Sequence, residues 1–404
     1  MELKKYKLGD CFRMAENGLV IKQTKAAKGM PITRIETLSN DCFNRDRLGY
    51  GDIFDEEKYS HYILDDKDLL MSHINSRTFL GRTVLYRKRN GEKIIHGMNV
   101  LRIKTNQDIL DPIFASYLFR TSLFKRHIDN IRKDAINQSS FALSDLKNIE
   151  LYIPTVKEQN KIAYTLQLLD SKIALNRQIN DNLEAMAKQL YDYWFVQFDF
   201  PNKEGKPYKS SGGAMVWNEK LKREIPQGWI ASNYTDLFTI GNGQTMPQNE
   251  GFIPAYGGNG IVKMVEISNY PACIIIGRVG ANCGSIHYSK VPCWVSDNAI
   301  SVCSKNDDWQ PFLFYSFRLY NLSKNKGGSS QPLITHEALK HLYFPMSEKH
   351  INQFCHIVNE LQDLMYSNQQ EILKLTKLRD ELLPLLMNGQ ASVNYHLSVF
   401  YTKR

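Results

Sequence analysis

The 404-residue sequence predicts an α+β protein in which two mixed α/β globules form a pseudo-twofold repeat, separated and joined by two long antiparallel coiled-coil helices. The first observation behind this is an apolar spacing that occurs twice, offset by 192 residues. Ile162, Leu166, Leu169, Ile173, Asn176, Leu183, Met186, Leu190 and Trp194 recur as Phe354, Val358, Leu361, Met365, Asn368, Leu375, Leu378, Leu382 and Leu386. The steps are mostly fours and threes, the spacing of a heptad helix. The second is that the polar interruption also recurs, as Asn176 and Asn368. The third is that short strand-like runs fill the chain before each helix. One such helix cannot bury its stripe alone, whereas two in one chain can bury each other. A pseudo-twofold chain then places its rods antiparallel and its globules at opposite ends.

The first globule spans residues 1–154. Leu69-Leu70-Met71, Thr83-Val84-Leu85-Tyr86, Ile94-Ile95 and Val100-Leu101-Arg102-Ile103 read as strands, with Asn90-Gly91 a hairpin turn. Residues 113–128 read as one amphipathic helix. Pro154 ends the globule, and Thr155-Val156-Lys157-Glu158 has the form of a capping box. The first rod occupies 155–200; roughly forty residues of helix make about 60 Å. Residues 201–215, polar and carrying Gly and Ser, read as a linker.

The second globule spans 216–345, with strands at Ile261-Val262, 272–276, 291–295 and 300–302 and a turn at Tyr256-Gly257-Gly258-Asn259-Gly260. Residues 309–320 take the place of the 113–128 helix. The second rod covers 346–390, with Asn388-Gly389 as its C-cap and Pro384 expected to kink or fray its last turn. A tail, 391–404, follows. The repeat extends into the globules: Asp10-Cys11-Phe12 with Asn17-Gly18 echoes Asp236-Leu237-Phe238 with Asn242-Gly243. Leu146-Lys147 and Tyr152-Ile153-Pro154 likewise echo Leu339-Lys340 and Tyr343-Phe344-Pro345. The frame is kept while most other residues of the globules differ, as expected if two different things are being read.

Hydrophobic content of 43% suffices for real cores, so the chain is not disordered. The formal net charge of +9 favours a polyanionic partner, although a lysine-rich solvated surface is a common cause of the same number. No apolar segment follows the N-terminal Met-Glu-Leu-Lys-Lys, and no run is long enough to cross a bilayer, so a cytoplasmic location without membrane contact is expected. Cys273, Cys283, Cys293 and Cys303 fall ten apart, but that spacing fits no zinc signature and no Cys-x-x-Cys pair exists. Reduced thiols inside strands are the expectation, and no metal site.

Catalytic motifs are missing. There is no G-x-x-x-x-G-K-[ST], no G-x-S-x-G and no H-E-x-x-H. Asp111-Pro112-Ile113-Phe114 falls one proline short of an amino-methyltransferase motif, and the Asp52, Glu56, Lys58 triplet is of a kind that arises by chance. No catalytic residue and no cofactor is therefore assigned. What remains are loops. Gly257-Gly258-Asn259-Gly260 is either a phosphate cradle or a tight hairpin. Ile276-Gly277-Arg278-Val279-Gly280 sets a guanidinium on a thin loop just after a strand, suited to a guanine edge or a phosphate. Gly327-Gly328-Ser329-Ser330-Gln331 is a third polar loop, flanked by Lys326.

Several of these segments together resemble the specificity subunits of type I restriction–modification systems. Leu168-Leu169-Asp170-Ser171-Lys172-Ile173, Asn176-Arg177-Gln178-Ile179-Asn180, Leu183-Glu184-Ala185-Met186-Ala187 and Trp194-Phe195-Val196 resemble that family's central helix. Tyr256-Gly257-Gly258-Asn259-Gly260, Ile275-Ile276-Gly277-Arg278-Val279-Gly280 with Cys283-Gly284, Trp294 with Ser296-Asp297-Asn298, and Gly328-Ser329-Ser330-Gln331 look like its target-recognition domain. The first globule has Ile74-Asn75 and His96-Gly97-Met98-Asn99 instead. The resemblance covers nearly the whole chain. It implies a non-catalytic subunit that reads a bipartite site on double-stranded DNA, one half per globule. It also implies helices that set the spacer and dock two methyltransferase subunits, through which restriction and translocase subunits join.

On that basis the DNA-contacting candidates are Lys25, Lys28, Arg82, Arg87, Lys88 and Asn99 in the first globule. In the second they are Tyr256, Asn259, Arg278, Lys326, Ser329, Ser330 and Gln331. The candidate helix and partner interface is formed by Leu166, Leu169, Ile173, Asn176, Leu183, Met186, Leu190 and Trp194, with Val358, Leu361, Met365, Asn368, Leu375, Leu378 and Leu382. The two Asn residues are expected to face each other inside the seam as a register device, or else to lie wetted at its edge. Two other readings compete: a self-contained nuclease or methyltransferase with fused recognition domains, and a coiled-coil scaffold with no role on DNA. The missing cofactor motifs count against the first, and net charge and loops against the second.

Overall fold

The computed structural model describes residues 2–24, 28–39, 42–136, 138–320, 322 and 333–393. The chain divides into two units, Met1–Ile173 with Leu373–Arg404, and Ala174–Ile372.

In the first unit β1 (Leu3–Lys7), β2 (Phe12–Asn17), β3 (Leu69–Ser72), β4 (Thr83–Leu85) and β5 (Val100–Thr105) are followed by α1 (Pro112–Leu118), α2 (Ser122–Ile131) and β6 (Glu150–Pro154). The long helix α3 (Val156–Tyr191) begins here. Four strands form an antiparallel sheet in the order β4-β3-β5-β2. Alternation decides what each face meets. Leu69, Met71, Leu101 and Ile103 share a core with Phe114, Leu118, Phe124 and Ile128. Leu70 and Val100 point the other way and pack with Leu38, Leu64, Val84 and Tyr86. Arg102, only 2% exposed, lies between two apolar neighbours of β5 and reaches Asp68 (2.6 Å), Asp65 (3.1 Å) and the His61 carbonyl (2.8 Å). The unit is closed by β1 pairing with β6, from Leu3↔Pro154 to Lys7↔Glu150.

The stretch expected as one helix over 113–128 is two. Asp111 caps α1 through the Ile113 and Phe114 amides, with Pro112 at its first turn. The Thr121 hydroxyl donates to the Leu118 carbonyl (2.7 Å) and accepts from the Phe124 amide (3.2 Å), ending one helix and capping the next. Asn90-Gly91 does turn the chain, Gly91 at φ +70°, but joins no two-stranded hairpin. Tyr86 bonds back to Asp68 while Ile95 bridges to Ile32 and Ile63.

The second unit contains β7 (Ile230–Ser232), β8 (Phe238–Asn242), β9 (Glu250–Gly257), β10 (Gly260–Val265), β11 (Cys273–Gly277), β12 (Ile286–Ser289), β13 (Ala299–Ser304), α4 (Gln310–Leu319) and β14 (Phe344–Met346). The helix α5 (Glu348–Met387) follows. Its sheet runs β8-β13-β11-β12, antiparallel throughout, so it repeats the topology of the first. Ile274, Ile276, Ile300 and Val302 face Phe312, Leu313 and Phe317. On the opposite face Cys273 and Ile275 meet Tyr256, Cys293 and Val295. The thiols are free, with Cys273 and Cys293 Sγ 3.6 Å apart. The β7–β14 pair, Ile230↔Met346 to Ser232↔Phe344, closes this unit as β1–β6 closes the other.

Each unit holds part of both long helices, running antiparallel. In the second, Asn176 and Asn180 of α3 reach Glu371 (2.6 Å) and the Met365 carbonyl (3.1 Å) of α5. In the first, Asp170 meets Arg379 (2.9 Å), while Ile162 and Leu166 share a core with Leu382 and Leu386. At one heptad position Gln159, Leu166, Ile173, Ala187 and Trp194 are buried, and 192 residues on Ile351, Val358 and Leu386 are buried while Met365 and Arg379 are half-buried. Two seam assignments need correcting. Met186 (55% exposed) and Leu378 (44%) lie one position before Ala187 and Arg379, and so face outward. Asn176 and Asn368 do not pair with each other either. Asn176, 1% exposed, donates to Glu371, and Asn368 donates to Asn180 (2.9 Å).

At the helix starts and ends the chemistry is specific. The Glu158 carboxylate turns to Lys161 (2.8 Å) instead of back to Thr155. Buried Gln159 ties the start of α3 to the first globule, accepting from the Asp111 amide (2.8 Å) and donating to the Ile109 and Pro154 carbonyls. A π-helical turn, Asp192–Val196, ends α3 and buries Trp194 and Phe195. The polar stretch after it folds back. Phe200 stacks on Tyr208 at 4.8 Å, and Asp199 accepts from the Ser210 amide and hydroxyl. The α5 helix continues past Pro384 to Met387, where Leu386 and Met387 are buried in the first unit's core and Gly389 takes φ +73°. No helix among the described residues is long and apolar enough to cross a membrane.

Candidate nucleic-acid interface

Each unit presents loops at one end of its own four-stranded sheet, and the two ends are equivalent in strand order. In the first, the residue after Gly18 crosses the loop that leads into β5: the Leu19 amide donates to the His96 carbonyl (2.8 Å) and the Met98 amide to the Leu19 carbonyl (3.0 Å). In the second, Gln244 repeats this with Val295 (2.9 Å) and Asp297 (3.0 Å). The crossing requires glycine beside it. A Cβ on Gly18 would stand 2.2 Å from the Gly97 carbonyl oxygen, and one on Gly243 1.7 Å from that of Ser296.

The loop after the inner strand is also built twice. Ser72, last in β3, exchanges backbone bonds with Arg82 (2.9 Å) and Gly81 (2.8 Å); Gly277, last in β11, does so with Ser285 (2.9 Å) and Gly284 (2.8 Å). Gly81 and Gly284 both take positive φ, at 77° and 89°. The next residue's carbonyl accepts from a third segment, His73 from Phe141 (3.2 Å) and Arg278 from Ile334 (3.0 Å). In the second unit the Arg278 amide also bonds the Asn298 carbonyl (2.9 Å), joining this loop to the crossing loop. The β9–β10 hairpin tip joins them there. The Gly258 carbonyl accepts from Ser285 and lies 3.3 Å from His287 Nε2.

The candidate residues fall unevenly on this edge. Asn99 belongs to the first crossing loop, half-buried at φ +69°. Arg82 stands where β4 begins, but its guanidinium lies 4.2 Å over the Phe79 ring and donates to the Leu38 carbonyl. Arg87 and Lys88 follow the far end of β4 (Leu85 pairs with Leu69), so the strand order sends them to the opposite end of the sheet, near Asp66. Lys28 is exposed beside Gly29. In the second unit Asn259 is exposed at the hairpin tip, while Tyr256 is buried with Ile275 and Val295. Arg278 is half-exposed, with no side-chain hydrogen bond or ion pair to the described residues. Lys25, Lys326, Ser329, Ser330 and Gln331 lie outside the described residues.

Residues that sequence reasoning passed over stand on the same edge. They include Asn282, Ser285 and His287 in the second unit and His73 in the first, beside Asn298 of the Ser296-Asp297-Asn298 motif. His336, whose Nε2 is buried without a partner, opens the short helix after Ile334, and nearby Arg278 adds to the burial that lowers its pKa. For His73, Ser285 and His287 the signal is position at a strand end, visible only once the two sheets are aligned. The described residues include no group of three His, Cys, Asp or Glu side chains able to hold a metal ion.

The model of the type I restriction modification DNA specificity domain matches residues 1–185 and again 226–377. The chain belongs to this family. Each match contains one of the two sheets with its loops. Among curated members, a putative type I restriction enzyme specificity subunit, MjaX, from Methanocaldococcus jannaschii is 28% identical over 96% of this chain and 93% of its own length. The HindI specificity subunit of Haemophilus influenzae is 26% identical over 71% of this chain and 79% of its own. A crystal structure of a type I restriction–modification S subunit from M. genitalium shares the fold, with a TM-score of 0.61 at 17% identity over 95% of this chain and 96% of that one. As a specificity subunit, the chain has two recognition domains on one scaffold.

Proposed function

We propose that the chain reads a split site on double-stranded DNA, one half per globule, as the non-catalytic subunit of a type I restriction–modification complex. The supporting observation is one loop scaffold built twice with different side chains on it. Equal scaffolds present loops in equal ways, while unequal side chains select unequal bases. The long helices set the spacer. They also carry outward apolar residues at repeated positions, Met186 and Tyr193 in one unit and Leu378 and Leu385 in the other. Such pairs suit two like partners, the methyltransferase subunits, through which restriction and translocase subunits join. Lys and Arg around the loops supply salt-dependent phosphate contacts.

The test is reconstitution. The purified chain alone neither methylates nor cuts DNA, and it directs methylation to a split site once its methyltransferase subunits are added. Methylation by the chain alone would overturn the assignment.

A further inference from the structure

His73 and Arg278 occupy one place in two heads. Each follows the last residue of the inner strand, β3 or β11, and each offers its carbonyl to the segment that returns toward the long helix. The next residues also match, Ile74 pairing with Ser140 as Val279 bridges Leu333. The residues before them, Ser72 and Gly277, hold the loop with the same two backbone bonds. The side chains differ in kind. Arg278 offers a guanidinium fork without a partner among the described residues.

The His73 ring is set edge-on to Phe141, centroids 6.4 Å apart, and its Nδ1 is buried with no hydrogen-bond partner. A buried N–H without an acceptor is costly, so the neutral ring keeps Nδ1 bare and its proton on Nε2. Burial also lowers the pKa of His73, favouring this neutral ring. The side chain thus has one donor to offer, on a fixed ring, where its counterpart has a fork.

We propose that His73 is the specificity-determining residue of the first head at the position Arg278 holds in the second, donating one hydrogen bond from Nε2 to an acceptor on a base edge. This rests on the two-headed reading above. A single neutral bond discriminates less than a bidentate fork, so the two positions differ in stringency. His73→Ala should lose about five-fold preference at one base of one half-site, and Arg278→Ala roughly 10–100-fold at one base of the other.

The experiment uses the full chain with its methyltransferase subunits and a pool of duplexes randomised at each position of both half-sites, read by methylated fraction. His73→Ala should relax one position of one half-site and none of the other, with the melting temperature unchanged. His73→Arg, which installs the second head's group, should shift that position toward the base Arg278 selects and sharpen it. If Arg278→Ala relaxes its half-site while neither His73 variant changes any position, this equivalence is wrong and the two-headed reading stands. If His73 and Arg278 variants relax the same half-site, the two-headed reading itself fails. A His73→Ala chain that melts early is replaced by the Arg variant, whose unchanged preference would equally reject the proposal.

Discussion

Asp170 fastens the first globule to both long helices. Its Oδ2 accepts from the Tyr117 hydroxyl on α1 (2.6 Å), and its Oδ1 from Arg379 on α5 (2.9 Å). Asp170→Ala strands the phenol of Tyr117, a side chain 5% exposed, at about 1–3 kcal/mol. Arg379 keeps Asp380 (2.7 Å), so losing its bond to the half-exposed carboxylate adds only about 1 kcal/mol. The total is roughly 2–4 kcal/mol, or about 5–15 °C in the melting temperature of a unit this size. Native-state hydrogen exchange localises the effect. Amides of α1 should exchange roughly 30- to 1,000-fold faster, with those of α4 unchanged. Adding Tyr117→Phe removes the stranded hydroxyl and should restore part of the loss, a coupling a double-mutant cycle reads directly. A cost under about 0.5 kcal/mol, below any of these terms, or equal acceleration in α4, would refute the fastening role.

Other perturbations separate the heads. Gly18→Ala and Gly243→Ala each drive a Cβ into backbone that cannot swing aside, costing about 1–3 kcal/mol; each should weaken only its own half-site in duplex titrations, and loss of both halves from one substitution would count against two separate crossings. His96 donates from Nε2 to the Val100 carbonyl (2.7 Å) and leaves Nδ1 buried and bare, and burial holds its pKa down to about 4. Unfolded histidine takes its proton near pH 6.5, so above that pH the stabilisation is complete. As pH falls toward 4 the unfolded state alone gains the proton, and the fold loses about 3 kcal/mol. Urea midpoints from pH 7.5 to 4.5 should slope less in His96→Gln, and an unchanged slope would exclude His96 as the cause. Inserting seven residues at both Asn180 and Ile372 preserves the heptad and adds about 10 Å of helix. The gap between half-sites should widen by about three base pairs while both half-sites stay the same; altered half-site sequences would contradict a ruler.

The frame was legible because apolar spacing is a local signal. Residues 192 apart share a register, and Gly18 and Gly243 fell into place with Asn17 and Asn242 beside them. The seam's less obvious members were not legible. Ala187 is small, and Arg379 is charged and enters the seam only because Asp170 waits there. The loop edge was harder still. Arg87 and Lys88 read as part of one basic cluster with Arg82 until the order β4-β3-β5-β2 places them at the other end of the sheet. His73 looks unremarkable until β3 is aligned with β11. Strand order is a non-local property that neither basic residues nor glycines announce. The break at Thr121, by contrast, had a local cause, a hydroxyl able to cap, hidden within an uninterrupted amphipathic pattern.

Sequencing the methylated bases of the host genome, with and without this gene, tests the central claim most directly. Two heads on a helical ruler predict one motif, split into two unlike halves by a fixed gap, that disappears on deletion. A continuous motif, or a methylation pattern indifferent to the deletion, would contradict the account.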